Sequence, residues 1–196
     1  MILMLWRVIF LIMLMVVPLQ LHAAVPVKAR PLTGIGLLCI PAATGAALRL
    51  TLYKEPGMGR LHEAGISGLA LLQSFPSDEC LYLPVIAKKQ GWLKVIHDDA
   101  ERSAWANNRR GWMFQRWEEF LTGRKVTVLK GIRKDYYQLR KEPLISAEAM
   151  ENSEKYPALE VLAVAGDWIS VTVGNSPVGW LRWRDDNGRL LLQLKP

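Results

Sequence analysis

The chain has 196 residues, room for one domain of ordinary size or two small ones and not for a larger array. Its two cysteines and three histidines show no spacing that matches a zinc pattern. The formal net charge of +7 allows anionic partners, with a solvated basic face as the plainer reading.

The first 24 residues differ in kind from the rest. Val8 to Val17 is an unbroken apolar run, with Arg7 before it and Pro18-Leu19-Gln20 after it. In Leu21-His22-Ala23-Ala24, Leu21 and Ala23 suit the −3 and −1 positions of a secretory cleavage site, which places the cut after Ala23. Residues 1–23 therefore read as a signal peptide, and the mature chain as exported to the periplasm or the extracellular space. The alternative is an uncleaved anchor, although the apolar run falls short of the roughly 20 residues a spanning helix needs. A lipoprotein is disfavoured, because Leu38 precedes Cys39 where a small residue is required.

Export governs how the cysteines are read. In an oxidising compartment Cys39 and Cys80 are expected to form a disulfide, closing a loop of about forty residues worth ~3–4 kcal/mol. Two separate buried thiols are the other possibility.

In chain order, Ala24 to Pro31 reads as an extended lead with no fold of its own. Gly34 to Ile40 and Ala47 to Tyr53 predict strands, and Lys54 to Gly59 a turn. Arg60 to Glu63 is compatible with a short helix in a Gly-containing loop. Leu83-Val85-Ala87 and Trp92 to Val95 predict two strands joined at Lys89-Gln90-Gly91, followed by a run near Ala104-Trp105. After the turn Asn107 to Gly111, Trp112-Met113-Phe114 predicts a further strand. Gln115 to Leu121 has helical spacing, with Trp117, Phe120 and Leu121 on one face, and Thr122-Gly123 stops it. Lys125 to Leu129 opens a second series of strands, and Leu144 to Tyr156 reads as a polar loop with one helical turn. Leu159 to Leu194 then gives four short β runs, turned at Gly166-Asp167, at Gly174 to Pro177 and at Asp185-Asp186-Asn187-Gly188.

The two series match. Leu83, Val85, Trp92 and Val95 align with Leu159, Val161, Trp168 and Val171 without a gap, and Trp105 and Trp180 agree within one residue. Lys54-Glu55-Pro56 is echoed by Lys141-Glu142-Pro143. The chain is an internal duplication, expected as residues 24–123 and 124–196. Trp92 and Trp168, at matched strand centres, are expected in the core.

Asp167-Trp168-Ile169-Ser170-Val171 with Gly179-Trp180-Leu181, and Gly91-Trp92-Leu93-Lys94-Val95 with Ala104-Trp105, resemble the W-x-x-V and Gly-Trp strands of the bacterial SH3-like domain. The resemblance covers about two thirds of the mature chain and implies a mainly β fold of two tandem small SH3-like β-barrels. It also implies binding of cell-wall material or of an envelope protein.

No catalytic constellation emerges. His97 beside Asp98-Asp99 reads as a polar turn, and Cys80 with His97 lacks the partner motifs of a thiol hydrolase. Asp185 to Gly188 misses calcium-loop spacing. No cofactor is expected, and nucleic acid is set aside for an exported chain. The expected function is a non-enzymatic binding module for a cell-envelope glycan or protein, with a scaffold subunit of an envelope complex as the alternative and a hydrolase using Cys80 and His97 behind both. The candidate groove of the first unit comprises Tyr53, Tyr82, Trp105 and Trp112, with Arg109 and Arg110 as its charges. In the second unit Tyr136, Tyr137, Trp168, Trp180 and Trp183 are the counterparts.

Overall fold

The computed structural model describes residues 30–72, 80–173 and 176–195. The expected signal peptide, most of the lead that follows it and the first half of the 174–177 turn lie outside these residues.

The described chain forms two seven-stranded antiparallel sheets. In the first, β1 (Gly36–Pro41), β2 (Leu50–Glu55), β3 (Met58–Ala64), β4 (Cys80–Lys89), β5 (Trp92–Ile96), β6 (Ser103–Asn107) and β7 (Met113–Arg116) lie in the order β3-β2-β6-β5-β4-β1-β7. A short helix, α1 (Trp117–Leu121), follows. In the second, β8 (Lys125–Val128), β9 (Gln138–Arg140), β10 (Ala149–Asn152), β11 (Leu159–Ala165), β12 (Trp168–Val173), β13 (Ser176–Arg182) and β14 (Leu192–Leu194) lie in the order β10-β9-β13-β12-β11-β8-β14. Adding seven to each strand number of the first order reproduces the second, so the duplication extends to topology. The ladders do not close into barrels: β3 and β7 are edges of one sheet, β10 and β14 of the other. The short strands β7 and β14 spend their pairing groups on one neighbour each.

Register repeats as well. Val85 faces Val95 and Ala87 faces Lys94, with a bulge at Ile86 between them. Val161 faces Val171 and Ala163 faces Ser170, with the same bulge at Leu162. Tyr53 faces Trp105 as Arg140 faces Trp180, which places the two Lys-Glu-Pro turns in equivalent positions. Period-2 alternation then selects the core. Leu38, Leu52, Leu83, Val85, Leu93 and Val95 fill the first, and Val126, Leu139, Leu159, Val161, Ile169 and Val171 the second.

The same alternation corrects the expectation for one of the matched tryptophans, Trp92. With Leu93 and Val95 inward, Trp92 and Lys94 take the opposite face, and Trp92 is half-buried. Trp168 is buried as expected, 8% exposed, with the Arg182 guanidinium 5.8 Å from its ring centroid.

Two other expectations change. Residues 58–64 are strand β3, not a loop with a short helix, because Pro56-Gly57 makes a tight hairpin that pairs Glu55 with Met58. Within the predicted polar loop 144–156, β10 pairs with β9 and a 3-10 turn covers Ser153–Lys155.

The units share one apolar interior. Leu37, Cys39 and Tyr82, on the outer face of the first sheet, join Trp117, Phe120 and Leu121 of α1 in a cluster continuous with the second core. The Trp117 indole N–H donates to the Thr33 carbonyl at 2.7 Å, and its ring lies 5.1 Å from that of Trp183. The end of the lead is not free. Leu190 N–H donates to the Pro31 carbonyl, Thr33 N–H to the Gly188 carbonyl, and Arg189 to the Arg30 carbonyl. The Asp185 to Gly188 turn, correctly expected, thus grips the chain where it enters the first unit. Arg189 also pairs with Glu101 at 2.6 Å.

Cys39 and Cys80 are bonded, with Cα atoms 5.2 Å apart. Cross-strand geometry permits it: Cys39 faces Tyr82 and Pro41 faces Cys80 on the β1–β4 ladder, so the two cysteines are diagonal neighbours.

Candidate ligand-binding site

The outer face of β2, β6 and β5 is the mirror of the first core. Since Leu50 and Leu52 point in, Thr51 and Tyr53 point out. Since Ala104 and Ala106 point in, Trp105 and Asn107 point out. Tyr53, Trp105 and Lys94 form one cross-strand row, and Trp92 pairs with Asn107 in the next. The Tyr53 and Trp92 rings meet edge to face, with centroids 5.2 Å apart.

Two turns frame this face. Gln90 and Gly91 both carry positive φ (44° and 81°), the combination of a type I′ hairpin, which starts β5 at Trp92. At the end of β6, Asn108 N–H donates to the Gly91 carbonyl and Trp112 N–H to the Arg109 carbonyl, which throws Arg109 and Arg110 out beside the rings. The result is a cavity of about 470 Å³ lined by Thr51, Tyr53, Trp92, Asn107, Arg109 and Arg110, with Asn108 at its wall. The Asn108 side-chain oxygen is buried there without a hydrogen-bond partner among the described residues.

Charge at this end of the unit is uncompensated. Arg102 is paired with Asp98 at 2.5 Å, but among the described residues neither Arg109 nor Arg110 has a carboxylate partner. The Arg109 guanidinium sits 5.3 Å from the Trp112 ring centroid, which holds it over an apolar surface rather than in an ion pair. The second unit differs. Its turn acids are neutralised, Asp167 by Arg184, Asp185 by Arg30 and Asp186 by Arg182.

The expected groove residues separate accordingly. Tyr53, Arg109 and Arg110 line one cavity. Trp112 supports Arg109 from half-buried packing against the first core. Trp105 faces the same side but is only 8% exposed, beneath the Lys94 ammonium at 6.0 Å. Tyr82 does not belong to this face. It is the cross-strand partner of Cys39 and turns to the junction, where its ring lies 5.0 Å from Phe120. Trp92, Asn107 and Asn108 were missed, and the signal for Trp92 lay in its alternation with Leu93 and Val95. Of the counterparts in the second unit, Trp183 is 1% exposed in the shared interior, with its indole N–H donating to the Gly166 carbonyl. Tyr136 and Tyr137 are buried too.

His97 is buried and its imidazole pKa is held below the usual value. Desolvation is the main cause, and the Asp98 carboxylate opposes it. The Cys80 sulfur is bonded to that of Cys39 and so presents no thiolate. Among the described residues, no three His, Cys, Asp or Glu side chains converge on a point where a metal would sit. No family model matches the chain, and no curated protein matches its sequence.

Proposed function

We propose that this protein is an exported, non-enzymatic binding module of two SH3-like units, and that the first unit takes an anionic cell-envelope ligand. The observation that carries the reading is the cavity in which two edge-to-face aromatic rings adjoin two arginines that have no carboxylate partner among the described residues. Rings offer a flat, largely apolar contact, and guanidinium groups offer paired donors to a carboxylate or phosphate. The second unit braces the first through the shared interior and the gripped lead. Export rests on the pattern of residues 1–23, and the Cys39–Cys80 bridge is consistent with an oxidising compartment.

The test is co-sedimentation of the mature protein with purified peptidoglycan, beside cross-linked pull-downs of envelope proteins, at rising salt. Binding should weaken as salt screens the arginines beyond a Debye length of ~8 Å. The double variant Arg109→Glu, Arg110→Glu should lose binding with its fold intact, and Trp92→Ala should weaken it. Unchanged binding in both variants would sink the reading. A scaffold role is the second possibility, favoured by the exposed Leu144, Ile145 and Met150 near the β9–β10 edge.

A further inference from the structure

Superimposing the two registers exposes one asymmetry between the units. On the outer face of β1, β4 and β7, Leu37, Cys39 and Tyr82 are buried under α1. The same register positions on β8 and the residues leading into β11 hold Lys125, Thr127 and Ala158. Gln193 and Lys195 replace Met113 and Gln115 on the third strand. An apolar docking face in one unit is a polar, basic face in its repeat, and the exchange of Tyr82 for Ala158 removes a ring.

A cleft of about 460 Å³ opens on this second face, lined among others by Thr127, Lys130, Ser153, Tyr156, Gln193 and Lys195. Among the described residues neither Lys130 nor Lys195 has an ion-pair partner. The Ser153 hydroxyl is buried, with 4% of the residue exposed, and has no hydrogen-bond partner among the described residues. Tyr156 is half-buried, and its hydroxyl donates to Glu151, which orients the ring. The acid of the cleft, Glu154, is held by the Asn152 amide at 3.2 Å.

We propose that this cleft is a second ligand site, one that takes a carboxylate-bearing saccharide. The two ammonium groups meet the carboxylate, the Tyr156 ring meets a sugar face, and Thr127 and Gln193 exchange hydrogen bonds with hydroxyls. The Ser153 hydroxyl supplies a polar contact at the wall that water-exposed side chains do not. The site shares no residue with the Arg109–Arg110 cavity, so a chain with both filled is bivalent and can bridge two ligands.

The experiment is a titration of the mature, disulfide-bonded chain with tetragalacturonate, followed by amide NMR shifts. Acetate and neutral maltotetraose serve as the carboxylate and the sugar face alone. Saturable shifts centred on Thr127, Ser153 and Gln193 are expected, with both partial probes about tenfold weaker or worse. Lys130→Gln with Lys195→Gln should weaken tetragalacturonate by about tenfold or more. Ala158→Tyr, which restores the ring size of the first unit, should block the cleft. Arg109→Glu with Arg110→Glu should leave these shifts unchanged, which separates this site from the one on the first unit. No shifts, shifts centred on Arg109 and Arg110, or undiminished binding in the lysine variant would overturn the proposal; spectra of each variant establish that it is folded.

Discussion

Arg30 and Asp185 form an ion pair 2.8 Å long across the junction of the two units, with side chains only 9% and 3% exposed. The Asp185 carboxylate also accepts from the backbone N–H groups of Asn187 and Arg189, so one side chain shapes the turn and anchors the lead. Removing it strands the Arg30 charge. Asp185→Ala should therefore cost roughly 3–5 kcal/mol in urea unfolding, while Arg30→Met, which leaves an acid with two backbone donors, should cost less. Equal costs would mean that the pair itself, rather than its stranded partner, carries the effect.

The bond between Cys39 and Cys80 spans a sequence separation of 41 and ties two strands of a small core. Replacing both cysteines by serine should lower stability by ~3–4 kcal/mol through the freer unfolded chain. Comparing urea midpoints with and without reductant checks it, since reductant should move the wild type and leave the variant unaffected.

Stability should fall on mild acidification, with His97 as a cause. Its folded pKa lies below the usual 6.5 because burial penalises the cation. Below pH 6.5 the unfolded chain binds a proton that the folded chain refuses, so stability drops with pH until the folded pKa is passed. Asp98 acts in a separate, more acidic window. Burial alone would raise its pKa, but donors from the Arg102 backbone and guanidinium hold it below 3.8, so its contribution is present above that value and lost as pH falls through the folded pKa. His97→Gln should flatten the dependence between pH 7 and the folded His97 pKa. An unaltered slope in that variant would rule out this assignment.

Gly179 and Ala104 hold equivalent places, facing Val171 and Val95. Gly179 has φ of +145°, and a Cβ there would meet the Arg140 carbonyl oxygen at 2.8 Å. Gly179→Ala should cost on the order of 1–3 kcal/mol. Ala104→Gly, in a regular strand, should cost about 0.5–1 kcal/mol from chain entropy, plus the loss of one buried methyl, and without backbone strain. Thermal melts of the two variants distinguish strain from propensity.

Much of this architecture was legible in the chain itself. Two gap-free matches, Leu83 to Val95 and Leu159 to Val171, determined that one strand pattern occurs twice, because period-2 alternation and the spacing of turns are local properties of sequence. The diagonal Cys39–Cys80 pairing was also open to inference, since an oxidising compartment leaves a lone pair of cysteines few other fates. Tertiary structure decided the rest. Which face of a strand is inward depends on the partner sheet, so Trp92 and Trp168 were matched by sequence, but the packing of Leu93 and Val95 turned Trp92 outward while Trp168 stays buried. Tyr82 looks like any other exposed-strand aromatic until α1 folds over it. Arg30 reads as part of a structureless lead until the Asp185 turn, distant in sequence, closes on it. Local pattern is written residue by residue, whereas burial, pairing of charges and the gathering of Tyr53, Trp92, Arg109 and Arg110 around one cavity depend on contacts between segments far apart in the chain.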